Sequence, residues 1–218
     1  MEPFRDRVEA GRELARALAE YRGKDIIVLG MPRGGVVVAK EVAQSLGAQL
    51  DVVVTRKIGA PDEPELAVGA VTQEGEVIID REVAESVGAT AEYLEEEASR
   101  KKLEVQERMR SLRGDRPYPA LQGRTVIVVD DGIATGNSVR AAVLSIRKRG
   151  PKAVVVAVPV APPGSVEKLS RDGTRVVCLR QPSFFFAIGG YYREFGQVED
   201  AEVRRLLEGA APGCRFKS

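Results

Sequence analysis

Apolar and polar positions along the chain follow two alternating periods. Residues 4–20 place Phe4, Val8, Leu14 and Leu18 at helical spacing with charges between them, which predicts an amphipathic helix packed on a core. Gly23 helps end it. Ile26-Ile27-Val28-Leu29 is a short continuous apolar run, the pattern of a strand buried on both faces. It stops at Gly30, Met31 to Gly35 reads as a loop, and residues 36–46 read as a helix ending at Gly47. Val52-Val53-Val54 predicts a second buried strand running into Thr55-Arg56-Lys57, with residues 58–66 as loop. Leu66–Val71 and Glu76–Ile79 flank Gln73-Glu74-Gly75 as a hairpin. Residues 81–113 are charged and helix-prone, with Leu94, Ala98, Leu103, Val105 and Met109 as a thin apolar stripe, broken from Gly114 to Pro119.

Val126 to Val129 is a third buried strand, followed by a helix from Ser138 to about Arg149. A fourth strand (Val154–Val160), a short helix around Val166–Leu169, a fifth strand (Arg175–Leu179) and a last helix (Glu199–Leu207) complete the pattern. Strands alternating with helices predict an α/β fold with a mostly parallel sheet flanked by helices. Ligands in such folds sit beyond the C-terminal ends of the strands. The expectation is one domain over residues 1–218, with a long helical insertion at about 72–122 and a small aromatic C-terminal segment at about 181–208.

Composition narrows the chemistry. The 218 residues suffice for one domain, and 44% hydrophobic against 30% charged excludes a wholly disordered chain. A net charge of +1 argues against a dedicated nucleic-acid binder. Histidine is absent, which excludes Ser-His-Asp and Cys-His nucleophile systems and His-ligated zinc. Acid–base work falls to Asp, Glu, Lys or Tyr. The two cysteines, Cys178 and Cys214, make neither a disulfide framework nor a Cys-only zinc site; Cys178 reads as a small core residue of the fifth strand. With no leader-like N-terminus and no membrane-length apolar run, a soluble, cytoplasmic protein is expected.

The third strand leads into Asp130-Asp131-Gly132-Ile133-Ala134-Thr135-Gly136-Asn137-Ser138. Asn137 is the chain's single asparagine. A helix N-terminus exposes unpaired N–H groups and the positive end of its dipole, so it suits phosphate. Gly136 admits close backbone approach, and Thr135 and Ser138 add hydroxyls. Two acids beside a phosphate make sense if they hold something neutral or cationic: sugar hydroxyls, or magnesium through waters. The bland alternative is a capped helix start.

This stretch resembles the signature of type I phosphoribosyltransferases, which bind 5-phosphoribosyl 1-pyrophosphate (PRPP). The resemblance extends to a poorly characterised bacterial subgroup through the run from Phe186 to Asp200. It implies that Asp130 and Asp131 contact the ribose hydroxyls alongside Mg²⁺, and that Ala134, Thr135, Gly136, Asn137 and Ser138 cradle the 5-phosphate. It implies that Arg33, Gly34 and Gly35, after the first strand, bind pyrophosphate, with Lys57 as a cationic contact after the second. It makes the insertion a flap that closes over the site. Relatives acting on 6-oxopurines carry an aspartate where Ala134 stands, so alanine argues against that substrate class.

Six of the chain's 11 aromatic residues fall at Phe184, Phe185, Phe186, Tyr191, Tyr192 and Phe195. Two readings compete: a hood whose rings, Phe185 and Phe186 foremost, stack on a flat base, or a satellite core. The implied activity is Mg²⁺-dependent transfer of phosphoribose from PRPP to a small nitrogenous base, in a homodimer. The alternative is a non-catalytic module sensing PRPP or a nucleotide. An aspartyl-phosphate mechanism leaves the Thr-Gly turn unexplained.

Overall fold

The computed structural model describes residues 2–64 and 66–209; Cys214 lies outside them. Five strands form a parallel sheet: β1 (Ile26–Gly30), β2 (Gln49–Val52), β6 (Thr125–Val129), β7 (Ala153–Val160) and β8 (Arg175–Arg180), in the order β2-β1-β6-β7-β8. The short strands β3 (Arg56–Gly59), β4 (Ala67–Val71) and β5 (Val77–Ile79) make a separate antiparallel sheet. The helices are α1 (Arg7–Ala17), α2 (Gly34–Leu46), α3 (Arg81–Ser86), α4 (Ala91–Arg113), α5 (Asn137–Arg147), α6 (Pro163–Arg171) and α7 (Asp200–Glu208).

The period-2 geometry of a strand explains the continuous apolar runs. Ile26 and Val28 face one core with residues of α1, α2, α4 and α7, whereas Ile27 and Leu29 face another with residues of α5 and α6. β6 divides likewise, Ile127 and Val129 against Val126 and Val128. The α/β fold with a mostly parallel sheet flanked by helices is therefore as its periodicity predicts.

The second strand differs from expectation. It runs Gln49–Val52 rather than Val52–Val54. Its centre is Asp51, buried and paired with Arg113 of α4 at 2.7 Å and 2.8 Å, a partner 62 residues away that local pattern cannot reveal. Arg56 and Lys57, expected as the end of that strand, and Ile58 and Gly59, expected as loop, instead form β3, which pairs with β4. On α4, Leu94, Ala98, Val105 and Met109 pack on the core as one face. Leu103 does not; it is 62% exposed, because its position is off that face.

The insertion begins as the β4–β5 hairpin, and its tip is fastened down. Glu74 accepts from Ser145 Oγ at 2.8 Å and from Arg149 at 3.0 Å, and Glu76 pairs with Lys148 at 2.9 Å. These partners lie at the C-terminal end of α5 and just beyond it, two turns from its start. At the C-terminus, Phe4 pairs in parallel with Tyr192, and α7 packs on α2 and α4.

Candidate active site

β2 and β6 lie on opposite sides of β1, so the order in which strands are added reverses at β1 while all of them stay parallel. That is where an open α/β sheet leaves a crevice beyond its carboxyl ends. The two loops entering it are Met31–Arg33 after β1 and Asp130–Gly136 after β6. Both lead directly into a helix, α2 at Gly34 and α5 at Asn137.

The loops touch. A Cβ on Gly34 would stand 1.9 Å from Asp131 Oδ2, and one on Gly35 would stand 2.7 Å from Asp130 Oδ1 and 2.9 Å from the Val129 carbonyl. Only glycine lets the start of α2 lie against the two acids. The Pro32–Arg33 peptide is cis. Arg33 ends the loop, with its guanidinium 3.8 Å from Asp200 Oδ1 at the start of α7. Arg108 also binds Asp200 and, with Arg33 and Arg204 nearby, holds that carboxyl below its ordinary range.

Asp130 and Asp131 have different surroundings. Asp130 Oδ1 accepts the Asp131 N–H at 2.9 Å. Burial, reinforced by the Asp131 charge, pushes the Asp130 carboxyl well above its ordinary value. Asp131 Oδ2 accepts from Arg7 Nε at 2.8 Å, with both side chains nearly buried. The Asp131 carbonyl accepts the Tyr192 hydroxyl at 2.5 Å. Burial, followed by the Asp131 charge, raises that phenol.

The turn before α5 is an open cradle. Gly136 has φ +79°, the left-handed conformation that glycine adopts without cost. Ala134, Thr135 and Ser138 are exposed. Ser165 Oγ donates to the Ala134 carbonyl at 2.6 Å, and Thr55 Oγ1 donates to the Ser138 carbonyl at 3.3 Å. The Asn137 side chain accepts from Lys168 Nζ at 3.4 Å and lines a cleft of about 120 Å³ with Arg140, Leu66 and Ile78. It is thereby engaged beside the cradle.

Thus Arg33, Gly34, Gly35, Asp130 and Asp131 are brought together at the two loops, with Ala134–Ser138 continuing from the second. Lys57 lies on β3 opposite Ala70 and lines another cleft with Tyr93, Glu97, Arg100 and Lys101, in which the two aspartates take no part. The aromatic residues divide. Tyr192 stacks on Phe195 (5.0 Å) and meets Phe4 at a tilt (5.5 Å), a satellite core. Phe185 stacks on Tyr191 at 5.4 Å. Phe184 is largely exposed, and Phe186 is 97% exposed.

Sequence reasoning missed Arg7, Tyr192 as a partner of Asp131, Ser165 and Lys168. Arg7 sits among the charged positions of an ordinary amphipathic helix, so no local signal marks it. Among the described residues no three acids converge into a metal cage. Two adjacent carboxylates suit Mg²⁺ that arrives with most of its coordination supplied by water and substrate phosphates.

A family model described as a phosphoribosyl transferase domain matches residues 5–195. A protein of Mycobacterium tuberculosis strain H37Rv, provisionally named a phosphoribosyl transferase, is 43% identical over 210 residues, covering 96% of this chain and 47% of the relative. The counterpart from strain CDC 1551 matches equally. The chain therefore spans about half the length of these curated relatives. The crystal structure of TT1426 from Thermus thermophilus superposes with a TM-score of 0.87 at 47% identity, covering 97% of this chain and all of that one. The match of the family model, from α1 past β8 and through both crevice loops, shows that the chain belongs to the phosphoribosyl transferase domain family.

Proposed function

We propose that the chain moves the 5-phosphoribosyl group of PRPP to a nitrogen nucleophile, a nucleobase, with release of pyrophosphate in a Mg²⁺-dependent reaction. One observation carries this reading. Two helices, α2 and α5, start without side-chain caps after the two crevice loops, and the paired carboxylates that open the loop into α5 lie against the start of α2. By contrast, α1, α3 and α4 are capped by Asp6, Asp80 and Thr90 (α6 and α7 also lack side-chain caps). Uncapped first-turn N–H groups and the dipole favour anions; carboxylates accept from hydroxyls. A ligand complementary to this order has phosphate at each end and a diol between.

In the reaction the bond from ribose C1 to the pyrophosphate oxygen breaks, a C1–N bond forms, and the nitrogen's proton leaves. No protein nucleophile is needed, which suits a chain without histidine. The N–H groups at Gly34 and Gly35, with Arg33, bind the departing pyrophosphate, and the turn from Ala134 to Ser138 holds the 5-phosphate. Asp130 and Asp131 orient the ribose through its hydroxyls. Mg²⁺, when bound with the substrate, supplies charge neutralisation on the pyrophosphate. Removing one such stabilising group costs on the order of 10²-fold in rate, by analogy with oxyanion-hole losses. Lys57 is the proposed further cation, and Phe185 and Phe186 the proposed base platform.

Calorimetric titration with PRPP, with and without Mg²⁺, followed by pyrophosphate release across a panel of bases, tests the reading. Binding that requires Mg²⁺ and is abolished in Asp130→Asn/Asp131→Asn, while that variant still melts in a cooperative transition, supports it. Unchanged affinity in that double variant sinks the site assignment. Binding without pyrophosphate release for any base replaces the enzyme with a sensor module.

A further inference from the structure

We infer that Arg7 is a positioning residue, holding the Asp131 carboxylate in place for the ribose hydroxyls and tying it to the C-terminal aromatic segment. The inference rests on the function proposed above. One guanidinium makes three contacts in three directions. Its Nε donates to Asp131 Oδ2 at 2.8 Å, a terminal nitrogen donates to the Gly196 carbonyl at 2.8 Å, and its face lies 3.8 Å over the Phe195 ring.

The side chains of Arg7 and Asp131 are 11% and 12% exposed. Burial makes the pairing matter, because a carboxylate removed from water needs a fixed partner. A planar fork that also stacks on an aromatic face does this where a flexible ammonium does not. The backbone of Asp131 is held from the same side: Tyr192 donates to its carbonyl, and Tyr192 stacks on Phe195. The N-terminal segment is laced to that region by Phe4 N–H to the Tyr191 carbonyl and Arg193 N–H to the Phe4 carbonyl, both 2.8 Å. One cation therefore joins α1, the signature loop and the proposed base-side segment. Gly34 seals the arrangement, since a Cβ there would also lie 2.7 Å from Arg7 Nε.

The test compares two ligands on the full chain. PRPP has the ribose hydroxyls; inorganic pyrophosphate does not. Affinity for PRPP is read by calorimetry, and for pyrophosphate by its displacement of PRPP, in the native chain, Arg7→Gln and Arg7→Lys, with melting temperatures alongside. Arg7→Gln is expected to weaken PRPP binding on the order of 10- to 100-fold through misplacement of one group, while pyrophosphate affinity stays at the native level. Arg7→Lys, which keeps the charge and the stem, carries the comparison if Arg7→Gln fails to fold. It is expected to weaken PRPP binding selectively too, because one ammonium cannot make all three contacts. Native PRPP affinity in the variants, or equal losses for both ligands, overturns the inference alone. A native chain that binds neither ligand overturns the proposed function and this inference with it.

Discussion

Gly34 concentrates the local constraints of the crevice. Its missing side chain leaves the space filled by Asp131 Oδ2, and that oxygen cannot swing aside because Arg7 holds it. Gly34→Ala is therefore expected to break the ion pair. It should weaken PRPP binding at least about tenfold and cost about 1–3 kcal/mol of stability, the usual range for overpacking. Gly164→Ala is the control: a Cβ there meets nothing within 4 Å, and stability should stay within about 0.5 kcal/mol of native. Calorimetry and thermal melting check both; a harmless Gly34→Ala would mean that the loops do not press on each other. The glycines and the two acids were legible as residue types with a purpose. Their mutual contact was not, because 96 residues separate Gly34 from Asp130 and nothing in either loop specifies the other.

At the scale of elements, α1 and β2 depend on single charged groups. Asp6 caps α1, accepting the Glu9 N–H at 2.7 Å, and this bond is the first cause holding its carboxyl below the ordinary 3.8. A depressed folded-state pKa adds stability that is present above the ordinary value and lost as pH falls through the lower folded value. Asp6→Ala should cost about 1 kcal/mol at neutral pH, and that deficit should shrink below pH 3.8, as read by urea unfolding across pH. A deficit that stays constant into acid would show that the carboxylate's charge is irrelevant to the cap. In β2, Asp51→Ala strands Arg113 in the core beside α4. The expected loss is about 3–5 kcal/mol, the cost of a buried charge left alone. Replacing the pair together, Asp51→Ala with Arg113→Met, should recover most of it; equal losses in the single and double variants would remove the ion pair as the cause. This pair also explains why β2 was misplaced by its pattern. A polar residue in a central register position reads as the end of a strand until its distant partner is known.

For the whole molecule, the parallel sheet, its two covered faces and the position of the crevice all follow from alternating strand and helix periods. Of the antiparallel sheet, the β4–β5 hairpin follows from the turn residues Gln73-Glu74-Gly75, whereas β3 does not, because Arg56–Gly59 carries no strand period of its own. The two sheets share no ladder, so they can loosen independently wherever contacts between them give way. The hairpin tip is one such contact, with Glu74 bridging Ser145 and Arg149 across 71 and 75 residues. Glu74→Ala removes both bonds at a partly exposed position, worth together about 1 kcal/mol. Native-state hydrogen exchange of the β4 and β5 amides should then accelerate about fivefold, while the amides of β1, β6 and β7 keep their native rates. Acceleration throughout both sheets would mean that the molecule opens as one unit and the hairpin is no separable element. Acceleration in neither would mean that packing of Val68 and Val71 on the core, rather than the tip, holds the small sheet. Selective acceleration would instead identify the α5 docking site as the point from which motion of the insertion is controlled.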